Sequence, residues 1–178
     1  MRGARRVVVA ALCAVAVHTS ASAQSTDATG LIGAYDPSNP FARILRGELP
    51  VSTVYEDAHA LAFIALNMRA PGHTLVIPKA SARTLLDVTP ETLGHVMRVV
   101  RCVAQAQRAA FGAEGVQLVQ NNGAAAGQSV FHLHVHVIPF APGETVQPPS
   151  VPAASRARMD SSAVLLARAM PATDCQRP

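Results

Sequence analysis

Tryptophan is absent from this 178-residue chain, aromatic residues make up 4% of it, and lysine occurs once, at Lys79. Its core must be built from aliphatic side chains and a few phenylalanines. Charged residues are scarce too, at 15% against 49% hydrophobic. That balance excludes wholesale disorder, which needs low apolar content with high net charge. No apolar run reaches the ~20 residues that a membrane-crossing helix requires. The longest, residues 7–17, has 11, so no stable membrane anchor is expected. At ~100 to 200 residues per domain the length allows one domain with extensions.

What is present begins with a basic start at Arg2, Arg5 and Arg6, that apolar run, and a small-residue Ala21-Ser22-Ala23 site. This is the order of a secretory signal peptide, with cleavage expected after Ala23 and an exported product, periplasmic or secreted. Of the 15 Lys and Arg residues, three fall in the signal and none of the 11 acidic ones does, which leaves a formal charge of +1. The basic pI near 9.5 therefore belongs mostly to the signal. No Lys/Arg run remains for counterion release, and nucleic acid is not expected as a partner. Cys102 and Cys175 stay in the exported part. In an oxidising compartment they can pair; alternatively Cys102 is a small core residue on an apolar helix.

Residues 24–38 are small, polar and turn-rich, and read as a linker. The domain is expected over residues 39–140. Asn39-Pro40 supplies an N-cap and first-turn proline for a short helix ended by Gly47. Residues 51–57, 60–66 and 73–79 are β-branched or aromatic-rich strands in a meander. Thr89-Pro90-Glu91 opens the longest helix, whose Leu93, Val96, Met97, Val100, Val103 and Ala104 share one face as far as Phe111. Residues 116–121 and 129–140 read as two further strands. Three hairpin-spaced strands leave no room for crossover helices, so an α+β fold with an antiparallel sheet is predicted. Residues 141–178 form a Pro/Ala-rich extension with a possible terminal helix over 156–170.

The chemistry concentrates in His132-Leu133-His134-Val135-His136-Val137. In a strand this alternation puts three imidazoles on one face and three apolar side chains on the other. A core would use Val or Ile there, and a solvent face any polar residue. Zinc is the main rival reading, but His132 and His136 are separated by ~13 Å of strand rise, too far for one ion. Residues 115–143 also contain no Asp, Glu or Cys, so no metal is assigned. The small-residue loop from Asn121 to Ser129 has free amides that can hold phosphate oxygens.

At this point the sequence resembles the histidine triad (HIT) family, whose signature is His-φ-His-φ-His-φ-φ with φ apolar, here residues 132–138. The resemblance includes Phe41-Ala42-Arg43-Ile44, Gly47-Glu48-Leu49-Pro50, Val54-Tyr55-Glu56-Asp57, the stretch from Pro71-Gly72-His73 to Lys79, and Gly127-Gln128-Ser129-Val130-Phe131. It is closest to the Hint-like nucleoside phosphoramidases. It implies a five-stranded antiparallel sheet with two helices, paired as a homodimer, and a purine nucleotide or nucleoside phosphoramidate as substrate, with no cofactor. It further implies that His134 attacks the α-phosphorus, that His132 and His136 flank it and bond phosphate oxygens, and that Ser129 and Gln128 donate to the phosphate or leaving group. Gly127, Asn121 and His73 would sit near the phosphate, and Phe41 and Ile44 would line the nucleobase pocket.

The pattern departs from the Hint-like one at Ala65, where an acidic residue normally meets the ribose hydroxyls, and at Phe140. A nucleotidyl transferase or phosphorylase of the same family, or a purine-nucleotide-binding module without turnover, are the alternatives. His59, His95, Glu56 and Asp57 read as turn or helix-surface residues.

Overall fold

In the computed structural model, which describes residues 30–146, 154–171 and 175, Asn39 caps the first helix, α1 (Pro40–Leu45), by accepting from the Phe41 and Ala42 N–H groups. These are two of the donors that a helix start leaves without partners. The strands β1 (Thr53–Glu56), β2 (Ala60–Ile64) and β3 (Thr74–Pro78) form the meander, and helix α2 (Pro90–Phe111) follows. Strands β4 (Gly115–Val119) and β5 (Val135–Phe140) complete the sheet, and helix α3 (Arg156–Ala169) follows them. The order across the sheet is β1-β2-β3-β5-β4 and every pair is antiparallel. Strands β2 and β3 are buried at every position, as the middle of a sheet covered on both faces must be.

Two apolar clusters cover those faces. On one, Val96, Val99, Val100 and Val103 of α2 pack with Ala62, Val76, Val135 and Val137, joined by Met159, Ala163 and Leu166 of α3. On the other, Phe41 of α1 packs with Leu61, Phe63, Leu75 and Ile77. The second cluster is smaller and leaves space over the sheet, which becomes the site described below. The C-terminal extension is thus partly structural: α3 docks, and a disulfide joins Cys102 of α2 to Cys175 with Cα atoms 6.0 Å apart.

The structure corrects two boundaries. Residues 30–38, expected as linker, are fastened to the fold: the Gly30 carbonyl accepts from Arg83, the Pro37 carbonyl from Arg46, and Tyr35 reaches His132. The last strand, expected from residue 129, begins only at Val135. Its ladder with β3 covers Val135 to Val137. Further back, β3 ends at Pro78, which has no N–H to offer, and the Leu133 N–H bonds the Ala82 carbonyl instead. The expected signal over residues 1–23, the first part of the linker (24–29) and part of the proline-rich stretch (147–153) lie outside the described residues.

Candidate active site

Alternation holds from residue 133 to 137, so Leu133, Val135 and Val137 enter the buried interior while His134 and His136 face the other way, toward Phe41. The hydrogen bonds define which nitrogen of each ring carries the proton. His134 Nδ1 lies 2.7 Å from the His132 carbonyl. A carbonyl can only accept, so Nδ1 donates and Nε2 keeps a free lone pair. The edge of the Phe41 ring packs against the imidazole at 5.1 Å between centroids. Burial pulls the His134 pKa below its ordinary value, so the ring is neutral at pH 7.

A second chain of bonds runs through His73 and His136. The backbone N–H of Arg69 donates to His73 Nδ1 at 3.1 Å, which leaves the proton on His73 Nε2. That nitrogen is 2.9 Å from His136 Nδ1, so His136 accepts there and carries its own proton on Nε2. His136 presents an N–H where His134 presents a lone pair. Burial is the main reason that both rings stay neutral, with His73 lowered to about 4 and His136 to about 3. The nearby positive charge of Arg69 acts in the same direction on both.

His132 departs from the expected arrangement. Its Nε2 donates to the Pro78 carbonyl at 2.9 Å and its Nδ1 accepts from the Tyr35 hydroxyl at 2.6 Å. Both nitrogens are therefore occupied inside the protein, and the ring is fully buried. The ring stays on the Phe41 side, 6.2 Å between centroids, but Tyr35 and the Pro78 carbonyl hold it beneath the site. His132 contributes its backbone carbonyl to His134 and its ring to the structure beneath. Gln128 is also placed differently from expectation. Its amide donates to the Arg83 and Val130 carbonyls at 2.6 and 3.1 Å, and its Oε1 accepts from the Gly123 N–H at 2.7 Å. Gly127, at φ +85, turns the chain so that Gln128 points inward and clamps the loop.

Two cavities meet at the histidines. One, of about 360 Å³, is lined mainly by apolar side chains including Phe41, Ile44, Phe63, Ala65 and Leu75, together with His134. The other, of about 440 Å³, is lined by Asn67, Met68, Arg69 and Asn121. His73, Gly127, Ser129 and His136 line both. All the expected site residues except His132 and Gln128 are brought to this junction. Sequence reasoning missed Tyr35, Asn67 and Arg69. Tyr35 had one signal, being an aromatic in an otherwise small and polar stretch.

The model of the HIT domain matches residues 46–143. This chain belongs to the histidine triad family. Among relatives, it is 42% identical over 99 residues to Protein hit of Bacillus subtilis, covering 56% of this chain and 68% of that one. It is 39% identical over 99 residues to the adenylylsulfatase HINT3 of Arabidopsis thaliana, covering 56% of this chain and 50% of that one. A Hit-like protein of Bartonella henselae, solved with an unknown ligand, superposes with a TM-score of 0.73 at 41% identity, over 77% of this chain and 99% of that one. A zinc-bound histidine triad protein of Mycobacterium smegmatis gives 0.67 at 34% identity, over 74% and 92%. The residues present here do not fit zinc. His136 Nδ1 is bonded to His73, no Asp, Glu or Cys lines either cavity, and no three metal-ligating side chains converge among the described residues.

Proposed function

We propose that this histidine triad protein hydrolyses nucleoside phosphoramidates or related nucleotide esters at the α-phosphorus, through a nucleotide bound covalently to His134. One observation carries the reading: the Nδ1 bond to the His132 carbonyl leaves a neutral, unprotonated Nε2 at the junction of an apolar and a polar cavity. A neutral imidazole is nucleophilic near pH 7 and its phosphoryl adduct hydrolyses readily.

The apolar cavity takes the nucleobase against Phe41 and Ile44. His134 Nε2 attacks phosphorus, the bond to the leaving nitrogen or oxygen breaks, and the departing group takes a proton from solvent in the open polar cavity. The His136 Nε2–H and the Ser129 hydroxyl donate to the phosphoryl oxygens as their charge grows. Water then attacks the adduct and gives up a proton to solvent in the open polar cavity, the phosphorus–nitrogen bond to His134 breaks, and the electron pair returns to Nε2. The tether to His132 holds the ring in one orientation through both halves. We further propose that the chain acts after export, with residues 1–23 removed, and as a homodimer.

Hydrolysis of a fluorogenic adenosine phosphoramidate by the exported protein, beside His134→Ala and with EDTA present, tests this. Turnover that survives chelation and is lost in the variant is expected. Nucleotide binding without turnover would replace the reading with that of a binding module, and turnover lost to EDTA would overturn the mechanism.

A further inference from the structure

His134 lines the apolar cavity but not the polar one. His136, Ser129 and Gly127 line both cavities, so with the nucleobase in the apolar cavity the polar one is the space left for the group that departs. In an in-line displacement the leaving group departs opposite the nucleophile. The polar cavity is thus the leaving-group compartment, with room for a substantial substituent at about 440 Å³.

The charge in that compartment is of one sign. Among the described residues, Arg69 is its only formally charged lining residue, and no carboxylate lines either cavity. Every other arginine of the site face that pairs with acid does so elsewhere: Arg43 and Arg46 are held by Glu48. No ion pair of this kind engages the Arg69 guanidinium among the described residues, although its backbone N–H is committed to His73. Beside it, the amides of Asn67 and Asn121 add donors, the latter bonded only at 3.4 Å to the Gly127 carbonyl. A neutral or cationic leaving group would gain nothing from a guanidinium there, and a cationic one would be repelled. An oxyanion would meet a planar fork of donors.

We infer that Arg69 selects substrates whose leaving group carries its own negative charge, a carboxylate, sulfate or phosphate seated against the guanidinium with Asn67 and Asn121. This rests on the cleavage reading above and specifies the substrate class within it. It also gives the two cavities different jobs: the apolar one grips the part that stays on His134, and the polar one identifies the part that leaves.

The test compares four adenosine 5′-phosphoryl substrates with the exported protein and with Arg69→Gln. One has an uncharged amine as leaving group; the others carry aspartate through its nitrogen, sulfate and phosphate. We expect kcat/KM on at least one anionic substrate to fall tenfold or more in Arg69→Gln, with the uncharged substrate changed less than twofold, and that loss to shrink as salt is raised. Which anionic substrate loses most identifies the oxyanion. Equal changes on all four substrates, or none, overturn the inference. A binding arm keeps it separate from turnover. The Kd of α,β-methylene-ADP relative to AMP is measured in His134→Ala and in His134→Ala with Arg69→Gln. If the preference for the second phosphate disappears with Arg69 while no substrate is hydrolysed by the parent, the cleavage reading fails and the anion seat stands. If the preference is unchanged by Arg69→Gln, the anion seat fails whatever the turnover.

Discussion

A single ring nitrogen distinguishes His134 from its neighbours. His132 has both nitrogens bonded inside the protein and His136 presents a donor, so only His134 offers a lone pair to the cavity. Replacing it with alanine should lower kcat by at least about a thousandfold while leaving the thermal midpoint close to the parent's, measured by steady-state kinetics and calorimetry. Because burial lowers the His134 pKa below 6.5, its free base persists below that value. The acid limb of kcat/KM should therefore lie under pH 6.5, and a limb at or above it would contradict the electrostatics. Tyr35 acts one step further back, donating to His132 Nδ1 at 2.6 Å. Tyr35→Phe frees the ring of His132, whose carbonyl orients His134, so kcat should fall several-fold with a stability loss of about 1 kcal/mol. A purely structural Tyr35 would lower stability without changing kcat.

Among the elements, those with strong periodicity were legible and those set by tertiary contacts were not. The long helix was predicted from Thr89 and found as Pro90–Phe111 with Thr89 as its cap, because capping, first-turn proline and apolar face all agreed. The meander was legible for the same reason, each strand being short, β-branched and bounded by turns. The histidine strand was read six residues too long. Alternation in sequence continues through residue 132, but the partner strand has no N–H to offer at Pro78. Nothing in the local pattern reveals that. His95 was read as partly exposed, yet it is buried with Nε2 2.7 Å from Asp57, since the partner is 38 positions away. Burial opposes ionisation of Asp57, but bonds from the His59 and Ala60 N–H groups, Tyr55 and His95 hold its pKa at about 2. The stability this supplies is present above the unfolded value of about 3.8 and lost as pH falls toward about 2. Asp57→Asn should flatten the acid-unfolding curve in that window. The glycine at 72 has φ +82 and faces the Phe111 ring; Gly72→Ala should destabilise through both strain and overlap.

For the whole molecule, the disulfide and α3 tie the C-terminal segment to α2 across a sequence separation of 73 residues. Loop closure on that scale contributes about 4 kcal/mol. Reduction, or Cys102→Ser, should lower the thermal midpoint by on the order of 10 °C while the triad still turns over, read by calorimetry and assay. Under the proposed export the bridge would persist in an oxidising compartment, and the chain should begin at Gln24, as read by terminal sequencing. Strand β4 is an edge of the sheet, with Val116 and Leu118 exposed. An unprotected apolar edge gains by pairing, and Leu118→Glu should convert the proposed dimer to monomer by light scattering. Family and fold were readable from the motif order, and the extension's docking was not, because Cys175 lies far from Cys102 in sequence.

The central claim is a covalent bond between substrate phosphorus and His134 Nε2. Its most direct test is to quench the exported protein in alkali during turnover of an adenosine phosphoramidate and map the adduct by mass spectrometry. The account predicts a nucleoside monophosphate on the peptide containing residues 132–136, located at His134 and absent from His134→Ala. Turnover with no adduct in a quench fast enough to capture one catalytic cycle, or an adduct on His132 or His136, would contradict it.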